Sequence, residues 1–420
     1  MTYLNAIKYI NAAREGISCD DTLARLLALV GNPQRRVKYL RLAGSNGKTV
    51  CAEMLCGVLE RSGYLTGCLK MPIAEDMREN IRIGSKCIDM QDFANCTDII
   101  KQAIATHNQE LLSVEGEPAR KPLEPTGAEV LLTVALMSFV GAHCEVAIIE
   151  SDHCGNDPSR TLPPPFAAVI CGTIPSSDTK QISRIRSYIG KGIEEIVSAP
   201  QDSEAYKIIS DTCYAAGCRL TLPSRAEISV EKLTFKGCKF KYKGREYSIN
   251  LCGRFQIMNA VLALEVIEML IRRGFEIDHE AIEGGFESLR IPAKVEVVSI
   301  KPVMIIDSTH TPEAVKIVTE SVAEFCEQMG KRVRLCVPSG ALADVYVREL
   351  TSHGFFIESV ICAAGERPAD ELLPVENYKT PKAAAKKCLA ALDKDTSLMI
   401  SGEYPFVSAL RYELLALLGY

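Results

Sequence analysis

Apolar positions along this chain change period several times, and each change marks an element. Up to Gly31 they recur at three- and four-residue spacing, which predicts helix. The run Val37 to Ala43 predicts a short buried strand that ends at Gly44. A helical pattern follows from Val50 to Arg61, with Gly63 placed as its stop. Residues 64–93 are mixed, and Asn80 to Ile88 reads as a small hairpin about Gly84. Helical spacing returns over 89–110 and from Pro125 to Val140. Between them the polar, proline-bearing stretch from Val114 reads as a mobile loop. Glu145–Glu150 and Ala167–Gly172 are short buried strands. Strands alternating with helices predict a parallel sheet covered on both faces.

From Ile228 to Leu251 the period becomes two, with Lys-Gly turns at 236–237 and 243–244. This predicts an antiparallel hairpin appended to the parallel sheet. Gln256 to Arg273 is an amphipathic helix closed by Gly274, and a hinge is placed around Ile291–Lys294. Beyond it Val303–Asp307, Arg332–Val337, Ser359–Ala363 and Leu398–Gly402 read as strands with helices between them. The division expected is 1–293 and 294–420, the second a smaller α/β domain.

Composition changes this picture little. A chain of 420 residues accommodates two domains. A net charge of -5 gives no support to a nucleic-acid surface. No stretch is long and apolar enough to span a bilayer. The first residues lack the basic start, apolar core and cleavage site of a signal peptide, so a cytoplasmic, monomeric protein is expected. The 17 cysteines are scattered in apolar runs without Cys-x-x-Cys or zinc spacing, as small core residues in a reducing compartment would be.

The chemistry concentrates at Gly44-Ser45-Asn46-Gly47-Lys48-Thr49, between the predicted strand and helix. Strand, glycine loop, Lys-Thr and helix is the layout of a phosphate-binding loop. The glycines turn backbone N–H groups toward one anion, and the helix start adds its positive dipole end. Lys48 can neutralise terminal phosphates, and the Thr49 hydroxyl can ligate the accompanying magnesium. Leu42 stands where the longer form of this loop has its first glycine. Glu150 ends a buried strand on the side where open α/β sheets bind ligands, a position suited to magnesium. Asp307 ends another apolar strand and opens Asp307-Ser-Thr-His310-Thr-Pro312, with Pro312 at a helix start. Asp307 is read equally well as a turn residue or as a nucleotide contact. Gly253-Arg254-Phe-Gln256-Ile-Met-Asn259 enters the 256–273 helix, so Arg254 and Asn259 are candidate phosphate or base contacts.

Taken together, these motifs resemble the folylpolyglutamate synthase and dihydrofolate synthase family of the Mur ligase superfamily. The likeness covers most of the chain. It takes in the Gly44–Lys48 loop, Pro125-Thr-Gly-Ala-Glu129 with Thr133, Glu150, Leu251 to Asn259, Asp307 to Pro312 and Gly340-Ala-Leu-Ala-Asp344. The resemblance implies a phosphate-loop central domain with a mostly parallel sheet and a smaller Rossmann-like C-terminal domain. It implies ATP and Mg2+, a folate-like acid and L-glutamate, joined through an acyl phosphate as two domains close. By resemblance Lys48, Glu150 and His310 are catalytic. The loop residues Gly44 to Thr49 bind the nucleotide with Arg254, Asn259, Lys294, Asp307 and His310, while Thr49 and Glu150 hold the metal.

The chain also departs from that family. Met71-Pro72-Ile73-Ala74 stands where the family has Ser-Pro-His-Leu, and Ile174-Pro-Ser-Ser177-Asp178 stands where it has Gly-Leu-Asp-His. The metal-holding lysine aligns with Lys191 only after a one-residue shift, and Lys294 replaces an arginine. Two readings stay open on these residues, an active ligase with altered ligands or a nucleotide-binding relative acting as a partner or regulator.

Overall fold

The computed structural model describes residues 1–13, 20–71, 76–113, 121–151, 158–162, 165–174, 178–189, 192–325, 332–390 and 392–419. Two compact units divide the chain. One comprises Met1–Ser224 and Asn259–Gly285, the other Arg225–Met258 and Phe286–Tyr420.

The first unit is built on eight strands: β1 (Lys38–Gly44), β2 (Thr66–Leu69), β3 (Ile81–Ile83), β4 (Lys86–Cys87), β5 (Val146–Glu150), β6 (Ala167–Cys171), β7 (Glu195–Ser198) and β8 (Arg219–Thr221). Their order is β4-β3-β2-β5-β1-β6-β7-β8. From β2 to β8 every pairing is parallel, whereas β3 and β4 form the antiparallel hairpin expected about Gly84. β5 and β6 are buried at every position and carry aliphatic runs with no polar alternation, as a strand covered on both faces requires. Helix Lys48–Arg61 follows β1, and helix Gly127–Gly141 precedes β5. The latter starts in a reciprocal cap between Thr126 and Glu129, which sets Pro125–Glu129 as a helix entry.

The period-two stretch forms β9 (Ile228–Thr234), β10 (Gly237–Tyr242) and β11 (Arg245–Ile249). They make their own three-stranded antiparallel sheet in the order β11-β10-β9, and it does not extend the parallel one. That corrects the appended hairpin of the sequence reading. The physical reason is the core it joins. Leu233, Phe235 and Cys252 pack into the same apolar cluster as Val303, Ile305, Val333 and Tyr346. Residues 225–258 therefore group with the second unit, although a single division at 293/294 places them in the first.

The second unit's larger sheet contains β12 (Glu296–Ile300), β13 (Val303–Asp307), β14 (Arg332–Cys336), β15 (Phe356–Ala363), β16 (Val375–Tyr378) and β17 (Thr396–Ser401). The order is β12-β13-β17-β14-β15-β16, parallel except for the β12–β13 edge. Both units are thus α/β with mostly parallel sheets. Among the described residues no helix is long and apolar enough to cross a membrane.

Candidate functional site

Gly44 closes β1 beside Cys171, the last residue of β6. The Ser45 N–H donates to the Cys171 carbonyl at 3.0 Å, and the Ser45 hydroxyl donates to the Thr173 carbonyl at 3.1 Å. Gly44 has φ +112°, and a Cβ there would lie 2.1 Å from the Cys171 carbonyl oxygen. Only glycine meets both conditions. We expect Gly44→Ala to destabilise the first unit by about 2–4 kcal/mol, combining backbone strain with the collision. Urea unfolding checks it, and an unchanged midpoint would disprove this view of the turn.

Gly47 has φ +88° and stands as N-cap of helix Lys48–Arg61 without a side-chain cap. The first amides of that helix are therefore not consumed by a capping side chain and can meet an anion. A Cβ on Gly47 would fall 2.3 Å from Asn259 Oδ1, so Asn259 lies directly against the loop. Lys48 is 4% exposed. Its Nζ donates to the Gly44 carbonyl at 3.0 Å and to the Ser45 carbonyl at 3.4 Å. The ammonium is thereby folded back over the loop it belongs to.

Glu150 ends β5 in register with Leu42 of β1 and is 1% exposed. Its Oε2 accepts from the Met71 N–H at 3.1 Å and from the Thr49 hydroxyl at 3.4 Å. Its Oε1 is buried without a hydrogen-bond partner among the described residues. Burial pushes the carboxyl up from its ordinary value, while Lys48, the Met71 N–H, Thr49 and Lys70 pull it back. A buried carboxylate oxygen with no donor, beside a threonine hydroxyl, is an all-oxygen set that fits a hard divalent cation. Among the described residues no cluster of three His, Cys, Asp or Glu side chains adds to it. Met71 contributes only its N–H here. Pro72–Ala74, Ser177 and Lys191 lie outside the described residues. Asp178 is an N-cap, accepting from the Gln181 N–H at 2.9 Å.

Sequence reasoning did not single out Cys171, Gly172 or Lys70 as site residues, and it marked Met71 only as a departure from the family's serine. Gly172, at φ +71°, would place a Cβ 2.5 Å from Ser45 Oγ. A glycine at the end of a buried strand was the available signal. The Met71 contribution is a backbone N–H, which no residue type announces.

In the second unit, Asp307 ends β13 and is 2% exposed. One carboxylate oxygen accepts from the Val295 N–H and the other from the Thr309 N–H, both at 2.8 Å. The two bonds staple the 293–295 turn to the 307–311 loop, a positioning task. Ala293 and Val295 both have positive φ, +55° and +51°. A β-branched residue there stores strain of order 1–3 kcal/mol, held by these bonds and by Ser308 N–H on the Ala293 carbonyl. Lys294, between them, donates from Nζ to Ser308 Oγ at 2.9 Å. His310 is exposed, its Nδ1 3.4 Å from the Ser308 carbonyl. Ser401 donates to the Thr309 carbonyl at 2.7 Å and fixes the loop from beneath. Arg254 is ion-paired with Glu324 at 2.5 Å.

No family model matches the chain. It is 28% identical over 323 residues to a probable bifunctional folylpolyglutamate synthase/dihydropteroate synthase of Halobacterium salinarum, covering 73% of this chain and 37% of that protein. The chain thus spans little more than a third of that relative. It is 21% identical over 439 residues to the folylpolyglutamate synthase of Lacticaseibacillus casei, with 99% of both chains covered. The Mycobacterium tuberculosis folylpolyglutamate synthase, solved with ADP and AMPPCP, superposes at a TM-score of 0.79 and 21% identity over 100% of this chain and 98% of that one.

Proposed function

We propose, because the chain belongs to the folylpolyglutamate synthase and dihydrofolate synthase family of the Mur ligase superfamily, that it is an ATP-dependent ligase joining glutamate to a folate-type acid. The observation that carries this reading is the buried pairing of loop and carboxylate. Lys48 and Thr49 close one side of a small polar site, and Glu150 closes the other with an oxygen left over.

The reaction makes definite demands on these residues. The substrate carboxylate attacks the γ-phosphorus of ATP, the bond to the bridging oxygen breaks, and ADP leaves. The amine of glutamate then attacks the acyl phosphate carbon, loses a proton and expels phosphate. Negative charge peaks on the transferring phosphoryl group. The loop N–H groups and Lys48 face that charge, and Asn259 against Gly47 holds the loop and the nucleotide in register. Thr49 and Glu150 would hold Mg2+, which supplies charge neutralisation on the phosphate oxygens when bound. Lys294, Asp307 and His310 are assigned to the nucleotide on the family resemblance, Asp307 chiefly by shaping the loop that carries His310. Arg254 is assigned likewise, and it must exchange Glu324 for a phosphate to serve. A cytoplasmic, monomeric enzyme is part of the proposal.

The departures at residue 71 and near 178 favour one alternative, a nucleotide-binding relative without ligase activity. A single assay separates the two. The protein is given ATP, Mg2+, L-glutamate and a reduced folate or dihydropteroate, and phosphate release is followed with product mass. We expect release that needs both acid and glutamate, and a product heavier by one glutamyl residue. ATP binding without acid-dependent release establishes the alternative.

A further inference from the structure

A second recess lies at the other end of the first unit's sheet, and the proposed ligation makes no use of it. It is a cleft of about 590 Å³ lined by Arg36, Lys38, Tyr64, His143, Glu145, Arg273 and Phe275 among others. Lys38 opens β1, Tyr64 precedes β2, and His143 and Glu145 precede β5, so the cleft sits across the amino-terminal ends of β2, β5 and β1. Gly44 closes β1 at its opposite end. Six strand steps at ~3.3 Å put the cleft roughly 20 Å from the phosphate loop.

Its chemistry is uneven. Arg36, Lys38 and Arg273 face a single lining carboxylate, Glu145. Among the described residues neither Arg36 nor Lys38 has an ion pair or side-chain hydrogen bond. Glu145 is already engaged, accepting from the Leu65 N–H at 3.1 Å. Arg273 is held with Nη1 2.6 Å from Glu194 and its guanidinium over the Phe166 ring, yet its Nε is buried without an acceptor among the described residues. The same lining includes two aromatic rings. Tyr64 and Phe275 pack with ring centroids 5.1 Å apart, and Tyr64 is pinned by the Glu276 N–H on its hydroxyl at 2.8 Å. Unpaired cations beside a fixed apolar wall select for an acid that carries a flat ring.

We propose that this cleft binds a small organic anion with a flat ring, its acid groups on Arg36 and Lys38 and its ring on Tyr64 and Phe275. Such a ligand is either a nucleotide or an aromatic carboxylic acid, and the two sources are distinguishable. The test is calorimetric titration of the full chain with AMP, with isophthalate and with inorganic phosphate. It is repeated on Arg36→Gln/Lys38→Gln and on Lys48→Ala. Both changed positions of the double variant are exposed, so its fold is retained, and thermal melting checks that. We expect AMP or isophthalate to bind at least tenfold more tightly than phosphate, and the double variant to lose at least tenfold. Lys48→Ala should bind that same ligand unchanged, which separates this site from the phosphate loop whatever the fate of the ligase reading. Binding unaltered in the double variant, binding lost in Lys48→Ala, phosphate as tight as the ringed acids, or no binding at roughly millimolar ligand each overturns the proposal.

Discussion

Lys48→Ala will lower turnover by at least 100-fold and weaken ATP binding, while leaving the melting temperature nearly unchanged. The split follows from what Lys48 touches. Its Nζ donates to the Gly44 and Ser45 carbonyls from a buried position, so the variant loses two bonds but also the cost of enclosing a charge. Little folding energy therefore rests on it. In the nucleotide complex the same ammonium is the one side-chain cation of the loop, and a clamp on transferring phosphoryl charge contributes about 3 kcal/mol. Lys48→Arg should not rescue. The lysine is 4% exposed and fitted over its own loop, and a planar guanidinium needs more room than a compact ammonium. Calorimetry of ATP binding and single-turnover phosphate release decide the matter. Unchanged affinity and rate in Lys48→Ala would remove the phosphate-loop assignment and the ligase reading with it.

The loop was legible because several local demands coincide there. An aliphatic strand must be buried, two glycines must take positive φ, and a helix must begin without a side-chain cap. Each demand leaves a residue type behind. The strand-end position of Glu150 was legible for the same reason, since a carboxylate closing an apolar run is conspicuous. What surrounds it was not. The Met71 N–H and the Cys171 carbonyl act through backbone atoms, which carry no residue signature. Asp307 shows a subtler limit. Its place at the end of β13 was evident, but one of its backbone donors, Val295, comes from a strained turn that contains no glycine, and the other, Thr309, from the loop that Asp307 itself opens.

Elsewhere, the failures follow from burial. β12 and β16 are edge strands, only half-buried along most of their length, so neither alternation nor an apolar run marks them. β7 is four residues long and β8 three, too short to display a period. Helices Thr179–Tyr188 and Ser203–Ala216, which flank them, also went unread. For the 228–251 segment the alternation was read correctly as strands and turns. A period of two says which face of a strand is apolar and nothing about which core will cover that face. Leu233 and Phe235 found theirs among the side chains of β13 and β14.

Glu150→Gln should move stability and function in opposite directions. The wild-type carboxylate is fully enclosed, with one oxygen shared between the Met71 N–H and Thr49 and the other without a donor among the described residues. Enclosing a charge so poorly satisfied is unfavourable, and burial accordingly pushes this carboxyl up. A neutral amide of the same shape removes that penalty and still accepts from Met71. The metal-free variant should melt higher, by about 2–4 °C for each kcal/mol relieved. With Mg2+ and ATP the order reverses. A cation site that loses the Glu150 carboxylate keeps, among the described residues, a hydroxyl and water, and magnesium holds such a set weakly. The magnesium concentration for half-maximal turnover should rise at least tenfold, and the maximal rate should fall. A merely structural glutamate predicts the contrary pattern, a lower melting temperature with an identical magnesium titration. Melting curves in chelator and magnesium titrations of turnover, run on the same two proteins, distinguish the cases.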